Sequence, residues 1–266
     1  MIGNCDGKTA LITGGTMGIG LATALALARR GAECAITYKW GTADLDDVRN
    51  AFASVGARPP IIVQSDAADA SDLTRLLDQL RERWTQVEIL VSNVSVALLI
   101  RSLDDYSLRS LHKSIEYTAW PMFEHTRRIR QHFGRYPRYI VGMSSPGPDS
   151  YARGYDFVAA SKAVLETMCR YMSHHLFDED VRINIIRSQA VRTESWRGTF
   201  EGFEEFAKKF MREEHFIAPE EIGNVVVALC SGYLDGMRGQ VLTVDRGISQ
   251  FDNLIALYSE RERLGL

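Results

Sequence analysis

The sequence lacks an excess of charge of either sign, because 31 lysines and arginines face 34 aspartates and glutamates among 266 residues. A nucleic-acid-binding domain is usually strongly basic, so we expect no nucleic-acid partner. The longest apolar run, near Val225–Cys230, is far shorter than the ~20 residues that a membrane span requires. The N-terminal sequence also lacks the basic and apolar segments of a secretion signal. These absences predict a cytoplasmic protein with no membrane partner.

Cysteine is scarce and scattered. The four cysteines are Cys5, Cys34, Cys169 and Cys230. They form no C-x-x-C pair and have no spacing to histidine that is typical of zinc sites. The adjacent pair His174–His175 is a poor chelate, because successive side chains on a helix point about 100° apart. We therefore predict no metal.

Short apolar segments rich in β-branched residues alternate with amphipathic helical segments along the whole chain. The strand-like segments are KTALITG, ECAITY, IIVQSD, EILVSN, YIVGMSS, VRINIIRS and QVLTVD. Strands separated by ten or more helical residues imply a parallel sheet that is covered on both faces. No linker or repeat divides the chain. The pattern predicts an α/β fold with a doubly wound parallel sheet, in one dinucleotide-binding domain over residues 1–266.

The turn after the first strand is rich in glycine and reads Thr13-Gly14-Gly15-Thr16-Met17-Gly18-Ile19-Gly20. Glycines at positions 14, 18 and 20 permit a tight turn, close approach of a pyrophosphate and close packing of the next helix. The N-terminus of that helix then favours the phosphates. The predicted cofactor-binding residues in this turn are Gly14, Thr16, Met17, Gly18, Ile19 and Gly20.

Polar residues follow the next three strands. Lys39, after the second strand, is a cation within reach of a 2′-phosphate and favours NADPH over NADH, although a solvated lysine is the alternative. Asp66, beside Ala67, is placed to accept a hydrogen bond from the adenine amino group, and we expect Ser71 to cap the helix that follows. The fourth strand leads into Asn93, Val94 and Ser95, where the inner ribose of the cofactor is expected.

Together, TGGTMGIG, the Asp66 position, VSNVS, SSPG…SKAVLE and GQVLTVD resemble the short-chain dehydrogenase/reductase family over about residues 5–250. The resemblance implies a Rossmann-type domain, an NAD(P)(H)-linked oxidoreductase and a homodimer or homotetramer. Val191-Arg192-Thr193 is similar to the family segment that contacts the nicotinamide carboxamide and a cofactor phosphate. We therefore add Val191 and Thr193 to the cofactor-binding residues.

The catalytic motif departs from that of the family, which has a serine and then Tyr-x3-Lys. Lys162 is present, but Val158 stands at the usual tyrosine position, and the nearest tyrosine upstream is Tyr155. The Tyr-x6-Lys spacing resembles that of enoyl-acyl-carrier-protein reductases and related enoyl-CoA reductases. Ser145 lies 17 residues before Lys162, where the catalytic serine is expected. The structural alternatives are a loop tyrosine, a solvated helix lysine and a serine that only caps a strand end.

The longer spacing has a physical meaning. Seven helical residues advance about 10.5 Å and four advance about 6 Å, and both return to nearly the same face. A phenol at position 155 therefore starts about 4.5 Å further from Lys162 than one at position 158. In conjugate reduction the charge develops on an oxygen that is two bonds beyond the carbon that receives hydride, so a more distant acid suits that reaction.

The predicted function is an NADPH-dependent reductase of an activated carbon–carbon double bond. The expected substrate is a 2-enoyl thioester on coenzyme A or an acyl carrier protein. We expect the reaction to belong to specialised metabolism. Lys162 would organise the cofactor and the phenol of Tyr155. Two alternatives remain: a ketoreductase that uses a displaced tyrosine, and a non-catalytic NADPH-binding sensor or scaffold.

The segment 192–218 is predicted to be a lid over the substrate. Its aromatic stripe consists of Trp196, Phe200, Phe203, Phe206 and Phe210, which fits either core packing or an acyl pocket. Its basic residues are Arg197, Lys208, Lys209 and Arg212, which fit either a solvated face or a surface for an acidic carrier. The tail at 250–266 is predicted to be helical and to pack on its own protomer or on a neighbour.

Three further positions depart from the family pattern. Thr118 stands where relatives have a helix asparagine, and Ser188–Gln189 replaces a Pro-Gly pair. Arg246 stands where relatives often have glycine, and the sequence suggests no function for it.

Overall fold

The computed structural model describes residues 4–40, 43–199 and 202–265. The strands are β1 (Thr9–Ile12), β2 (Glu33–Tyr38), β3 (Ile61–Gln64), β4 (Ile89–Ser92), β5 (Tyr139–Ser144), β6 (Arg182–Ser188) and β7 (Gln240–Val244). They form one sheet in the order β3-β2-β1-β4-β5-β6-β7, and every neighbouring pair is parallel. This order confirms the predicted doubly wound α/β sheet of the Rossmann type.

Helices connect the strands in the predicted alternation. They are α1 (Gly18–Ala28), α2 (Leu45–Ser54), α3 (Ala70–Arg81), α4 (Leu108–Thr118), α5 (Trp120–Phe133), α6 (Asp156–His175), α7 (Glu194–Thr199), α8 (Phe203–Phe210), α9 (Pro219–Cys230), α10 (Asn253–Ser259) and α11 (Arg261–Leu264). None of the helices in the described part of the chain has the length and apolar character needed to cross a membrane.

The sheet separates two apolar layers. Ile12 of β1 packs in the layer that contains α1 and α9, whereas its neighbour Leu11 packs in the layer that contains α3, α5 and α6. Successive strand residues point to opposite faces, so a strand that is covered on both sides must be apolar throughout. This is why β1 reads as a continuous apolar run rather than an alternating one.

The order of the strands positions the functional residues. The chain builds β1, β2 and β3 outward in one direction and then returns to place β4 on the other side of β1. Ligands of doubly wound sheets bind at the carboxyl ends of the strands, where the order reverses. The residues that follow β1, β2, β3, β4 and β5 therefore meet at one edge of the sheet.

A break separates α4 from α5. Ala119 lies between the two helices, and Pro121 occupies the first turn of α5. Proline is accepted there because first-turn N–H groups have no partner within the helix. The break places Tyr117 and Thr118 in the last turn of α4.

The cap of α3 differs from the prediction. The side chain of Asp69 accepts hydrogen bonds from the backbone N–H groups of Ser71 (2.8 Å) and Asp72 (2.9 Å). The prediction that Ser71 caps this helix is therefore wrong. The helix begins at Ala70, two residues earlier than a cap at Ser71 implies, and the carboxylate of Asp69 satisfies the first-turn donors.

The tail is helical and packs on the lid of its own protomer. Arg263 Nη2 donates to the carbonyl oxygen of Phe210 (3.1 Å), and Glu260 pairs with Arg212. The ring of Phe251 lies 5.6 Å from that of His215. These contacts join the tail to its own protomer, and packing on a neighbour stays a prediction.

Candidate active site

The glycine-rich turn forms a cradle at the carboxyl end of β1. Gly14 and Gly18 have positive φ angles of 63° and 54°, a backbone conformation that other residues rarely adopt. A Cβ atom at Gly20 would lie 2.1 Å from the carbonyl oxygen of Gly14. Only glycine allows this close approach between the turn and the first turn of α1.

The other predicted residues of the turn lie around the start of α1. Thr16 is buried, and Ile19 is partly buried against the layer that contains α1 and α9. Met17 occupies the N-cap in place of the usual serine, threonine, aspartate or asparagine. A thioether is a poor substitute for such a cap, which suits a helix whose N-terminal N–H groups receive a pyrophosphate.

The segment after β4 packs directly against this turn. Asn93 Nδ2 donates to the carbonyl oxygens of Thr13 (3.1 Å) and Gly14 (3.0 Å). A Cβ atom at Gly14 would lie 3.2 Å from Val94 Cγ2. The structure thus brings together two groups of residues that the sequence predicts as cofactor contacts.

The residues after the strands border a groove at the carboxyl edge of the sheet. Ser95 lies along this groove, in the same segment as Asn93. Its Oγ is 3.1 Å from Thr118 Oγ1, and the N–H of Val96 also bonds to Thr118 Oγ1 (3.4 Å). Thr118, at the position of the family asparagine, therefore holds the loop after β4 by its hydroxyl group.

The predicted residues after β6 close the groove from the other side. A Cβ atom at Gly18 would lie 3.4 Å from Thr193 Cγ2, and Thr193 Oγ1 accepts from Trp196 N (3.1 Å) at the start of α7. Val191 is buried and forms a β-bridge with Ile217. Thr193 therefore lies beside the glycine-rich turn, whereas Val191 anchors the segment in the core.

At the adenosine end, the structure brings Lys39 and Asp66 into direct contact. Lys39 Nζ forms an ion pair with Asp66 Oδ2. Tyr117 OH accepts from Lys39 Nζ (2.6 Å) and donates to Asp66 Oδ2 (3.1 Å). The sequence predicts Lys39 and Asp66 as separate cofactor contacts, and it contains no signal that identifies Tyr117 as their common partner.

The sequence analysis did not identify His125 of α5, which is buried close to the backbone of Ala67. Burial lowers the pKa of His125 to about 4, although the backbone of Ala67 opposes this shift. The imidazole is therefore neutral at physiological pH and supports the loop without adding charge.

The two predicted catalytic hydroxyl groups meet. Tyr155 OH donates to Ser145 Oγ (3.1 Å). Burial raises the pKa of Tyr155, although the hydrogen bond with Ser145 opposes the shift. The phenol is therefore protonated at neutral pH and available as a donor. Val158, at the usual tyrosine position, is buried.

Close backbone contacts fix the position of Tyr155 just before α6. The N–H of Ile100 donates to the carbonyl oxygen of Gly154 (3.0 Å), and a Cβ atom at Gly154 would lie 2.4 Å from Ile100 O. A Cβ atom at Gly147 would lie 3.1 Å from Tyr155 Cδ1. The loops after β4 and β5 therefore pack closely against the start of α6.

Lys162 is buried on the inner side of α6. Its Nζ donates to the carbonyl oxygen of Met143 (2.8 Å) at the carboxyl end of β5. Burial lowers the pKa of Lys162 to about 8, and the carboxylate of Glu166 opposes the shift. The alternative of a solvated helix lysine is therefore wrong.

A buried ionic group beside Lys162 was missed by the sequence reasoning. Ser144 Oγ donates to Glu166 Oε1 (2.6 Å), and Arg187 bonds both carboxylate oxygens through Nε (3.0 Å) and Nη2 (2.5 Å). Arg187 also pairs with Asp149 of the loop after β5. We call Ser144, Glu166 and Arg187 the buried carboxylate cluster. An arginine inside the apolar segment VRINIIRS was the available signal, because a buried charge requires a partner.

The aromatic stripe of the lid divides into two parts. Trp196 contacts the rings of Phe203 (5.8 Å) and Phe216 (6.2 Å), whereas Phe206 and Phe210 are exposed. The expectation of core packing is therefore wrong for the outer part of the stripe. Phe200 lies outside the described residues.

The basic residues of the lid are largely engaged by carboxylates of the same chain. Arg197 and Lys208 pair with Glu204, and Arg212 pairs with Glu260. This pairing favours the solvated-face interpretation over a surface that is kept for an acidic carrier.

Arg246 now has a structural explanation. Its φ angle is +53°, which accounts for the preference of this position for glycine. The guanidinium donates to Glu221 Oε1 (2.7 Å) and to the carbonyl oxygen of Glu214 (2.5 Å). Arg246 thus joins the base of the lid to α9.

Comparisons with known proteins agree with this geometry. A family model described as enoyl-(acyl carrier protein) reductase matches residues 14–249. Versicolorin reductase 1 of Dothistroma septosporum is 24% identical over 254 residues, which cover 91% of this chain and 96% of that protein. The enoyl-(acyl-carrier-protein) reductase (NADH) of Aquifex aeolicus is 26% identical over 255 residues, which cover 92% and 93%.

The solved structures extend the similarity to the fold. The L-sorbose reductase of Gluconobacter frateurii, complexed with NADPH and L-sorbose, matches with a TM-score of 0.82 at 21% identity. The match covers 94% of this chain and 100% of that chain. The fold therefore has a counterpart across nearly the whole chain.

Proposed function

Because the chain belongs to the short-chain dehydrogenase/reductase family of NAD(P)H-dependent oxidoreductases, we propose that it is an NADPH-dependent reductase of an activated carbon–carbon double bond. The proposed substrate is a 2-enoyl thioester of coenzyme A or of an acyl carrier protein. The observation that carries this proposal is the displaced phenol: Tyr155 bonds Ser145 from a position before α6, while Val158 is buried at the usual tyrosine position.

The two hydroxyl groups have complementary roles in this proposal. Tyr155 donates a hydrogen bond to the thioester oxygen, on which negative charge develops as hydride adds to the β-carbon. Ser145 aligns the phenol and helps to hold the same oxygen. A positioned donor of this kind typically contributes ~10²–10⁴ in rate.

Lys162 acts from the floor of the site. Its position at the carboxyl end of β5 supports a role in holding the nicotinamide ribose and in favouring a strongly donating Tyr155 phenol. In its ammonium form, Lys162 would also favour the negative charge that develops nearby.

The groove is suited to a dinucleotide. The turn with Gly14, Gly18 and Gly20 admits a pyrophosphate, Asn93 braces that turn, and Thr193 borders it. When bound, the nicotinamide supplies the hydride. Lys39 supports NADPH over NADH, because its ammonium is a suitable partner for a 2′-phosphate.

A ketoreductase is the second candidate. The direct bond between Tyr155 and Ser145 also suits the polarisation of a ketone oxygen, and versicolorin reductase 1 is among the relatives. The two candidates differ in where the hydride adds, so matched substrates separate them.

The experiment follows NADPH absorbance with a 2-enoyl thioester and a 3-oxo thioester of equal chain length. We expect oxidation with the enoyl substrate, and we expect Tyr155→Phe to lower kcat/KM by ~10²–10⁴ because the donor to the enolate oxygen is lost. Tyr151→Phe is the matched control, since Tyr151 lies in the same loop and is 87% exposed.

Each other outcome has a defined meaning. Oxidation with the 3-oxo substrate alone identifies a ketoreductase. Tight NADPH binding with no oxidation by either substrate supports a sensor or scaffold. Full activity of Tyr155→Phe contradicts the catalytic assignment of Tyr155.

A further inference from the structure

The adenosine end of the groove contains three side chains that contact one another. Lys39 follows β2, Asp66 follows β3, and Tyr117 lies in the last turn of α4. Asp66 Oδ2 pairs with Lys39 Nζ and accepts from Tyr117 OH (3.1 Å). Two donors from different elements therefore converge on one anionic oxygen.

Aromatic rings hold the ammonium in place. Lys39 Nζ lies 4.3 Å from the ring centroid of Trp40 and 4.8 Å from that of Tyr117. Such contacts favour a cation near the ring faces. The carbonyl oxygen of Lys39 also accepts from Gln64 Nε2 (3.2 Å). The position of Lys39 is thus defined by β2, β3 and α4 together.

These contacts border a cavity of about 310 Å³, which is lined by Lys39, Gln64, Asp66, Asp69, Asp72 and Arg75. The two other carboxylates on its wall have partners of their own. Asp69 caps α3, and Asp72 accepts from Asp66 N (2.8 Å) and pairs with Arg75. Lys39 is therefore the cation on this wall that pairs with a third carboxylate, that of Asp66. Tyr117 meets the wall through its hydrogen bonds to Lys39 and Asp66.

We propose that Tyr117 is a specificity-determining residue that binds the 2′-phosphate of NADPH together with Lys39. This proposal rests on the proposed NADPH-dependent function. In this structure Asp66 Oδ2 accepts from both donors, and an oxygen of a bound 2′-phosphate would accept from the same two groups. An adenine amino group that engaged Asp66 would leave Lys39 and Tyr117 to the 2′-phosphate.

The chemistry discriminates between the two cofactors. A phosphate dianion accepts charge-assisted hydrogen bonds from both the ammonium and the phenol. The neutral 2′-hydroxyl of NADH cannot replace the carboxylate as the partner of Lys39. The gain from the phosphate therefore depends on Tyr117 as well as on Lys39.

The test measures binding to the adenosine end without catalysis. Isothermal titration calorimetry compares adenosine 2′,5′-bisphosphate with adenosine 5′-monophosphate. We expect Tyr117→Phe to weaken binding of the bisphosphate about tenfold or more, because a hydrogen bond to a charged group is lost. We expect binding of the monophosphate to change less than about threefold, because that ligand has no 2′-phosphate.

Two further variants make the result specific. Lys39→Met should abolish the preference for the bisphosphate. Tyr136→Phe makes the same chemical change at a tyrosine that lies beside Arg130 rather than beside Lys39 and Asp66, and it should leave both affinities unchanged. Thermal unfolding of each variant checks that the fold is retained.

The outcomes separate this proposal from the proposed function. If Tyr117→Phe weakens both ligands equally or neither of them, Tyr117 is not a phosphate ligand and the proposal is wrong. If the preference survives in Tyr117→Phe but disappears in Lys39→Met, the NADPH preference stands without Tyr117. If the wild-type protein does not distinguish the two ligands, both the NADPH preference and this proposal fail.

Discussion

Glu166 and Glu204 both pair with arginine, but they lie in opposite surroundings. Glu166 is 2% exposed and is bonded by Arg187 and Ser144 beneath the catalytic end of the groove. Glu204 lies on the lid with its side chain 15% exposed, and it pairs with the exposed Arg197 and Lys208 and with the partly exposed Arg192. A glutamate–arginine pair is therefore part of the buried floor of the site in one region and a surface ion pair on the lid in the other.

The difference teaches what each region requires. Removing one partner from a buried pair leaves a charge without compensation in a medium of low polarity. An exposed pair is replaced by water at little cost, so it holds a movable segment without locking it. Under the proposed function, a fixed floor would keep Tyr155, Ser145 and Lys162 aligned, whereas the predicted lid would have to open for the substrate.

The largest expected effect is that of Glu166→Ala. We expect the free energy of unfolding to fall by about 3–5 kcal/mol, because Arg187 loses its buried partner and Ser144 loses its acceptor. Urea unfolding measures the change, and Glu204→Ala is the matched control at less than about 1 kcal/mol. Equal losses in the two variants would remove the distinction between the two regions.

The next effect concerns Lys162, a buried cation whose hydrogen bond goes to a carbonyl oxygen rather than to a carboxylate. We expect Lys162→Met to be more stable than the wild type at pH 7 by about 1–3 kcal/mol, because burial disfavours the ammonium. The same substitution should abolish catalysis under the proposed mechanism.

The pH dependence of this difference has a definite sign. The pKa of Lys162 is about 8 in the folded state and 10.5 for the ordinary lysine, so between these values the unfolded state binds more protons. The contribution of Lys162 to the free energy of unfolding therefore rises with pH across this window. The advantage of Lys162→Met should shrink from pH 8 to pH 10.5, and an advantage that stays constant would contradict the assignment.

The smallest expected effect is on the lid. Glu204→Gln should lower the free energy of unfolding by less than about 1 kcal/mol, and high salt should reduce the difference from the wild type. Limited trypsin digestion should cleave the segment 192–218 faster in the variant, because Arg197 and Lys208 lose their ion pairs with Glu204. Unchanged cleavage would show that these pairs do not restrain the lid.

The fold was predictable because its signals are local. A strand covered on both faces is a continuous apolar run, so all seven strands could be located from segments such as ECAITY. Positions after strand ends could also be predicted, because the carboxyl ends of parallel strands share one edge. The contact between Tyr155 and Ser145 lies within the single connection from β5 to α6.

What could not be predicted depends on how side chains meet across elements. Glu166 and Arg187 are 21 residues apart and meet only because α6 packs beside β5 and β6. The contact of Lys39 with Asp66 requires the reach of a long side chain across two strand ends. The cap of α3 at Asp69 rather than Ser71 depends on a shift of the helix start by two residues, which periodicity does not resolve.

The break after α4 has a consequence for how this protein evolves. Tyr117 contacts Lys39 and Asp66, while its neighbour Thr118 contacts the loop at Ser95. One turn of helix thus reaches both halves of the groove. Under the two proposals, selection for a different cofactor and selection for different chemistry would act on adjacent codons.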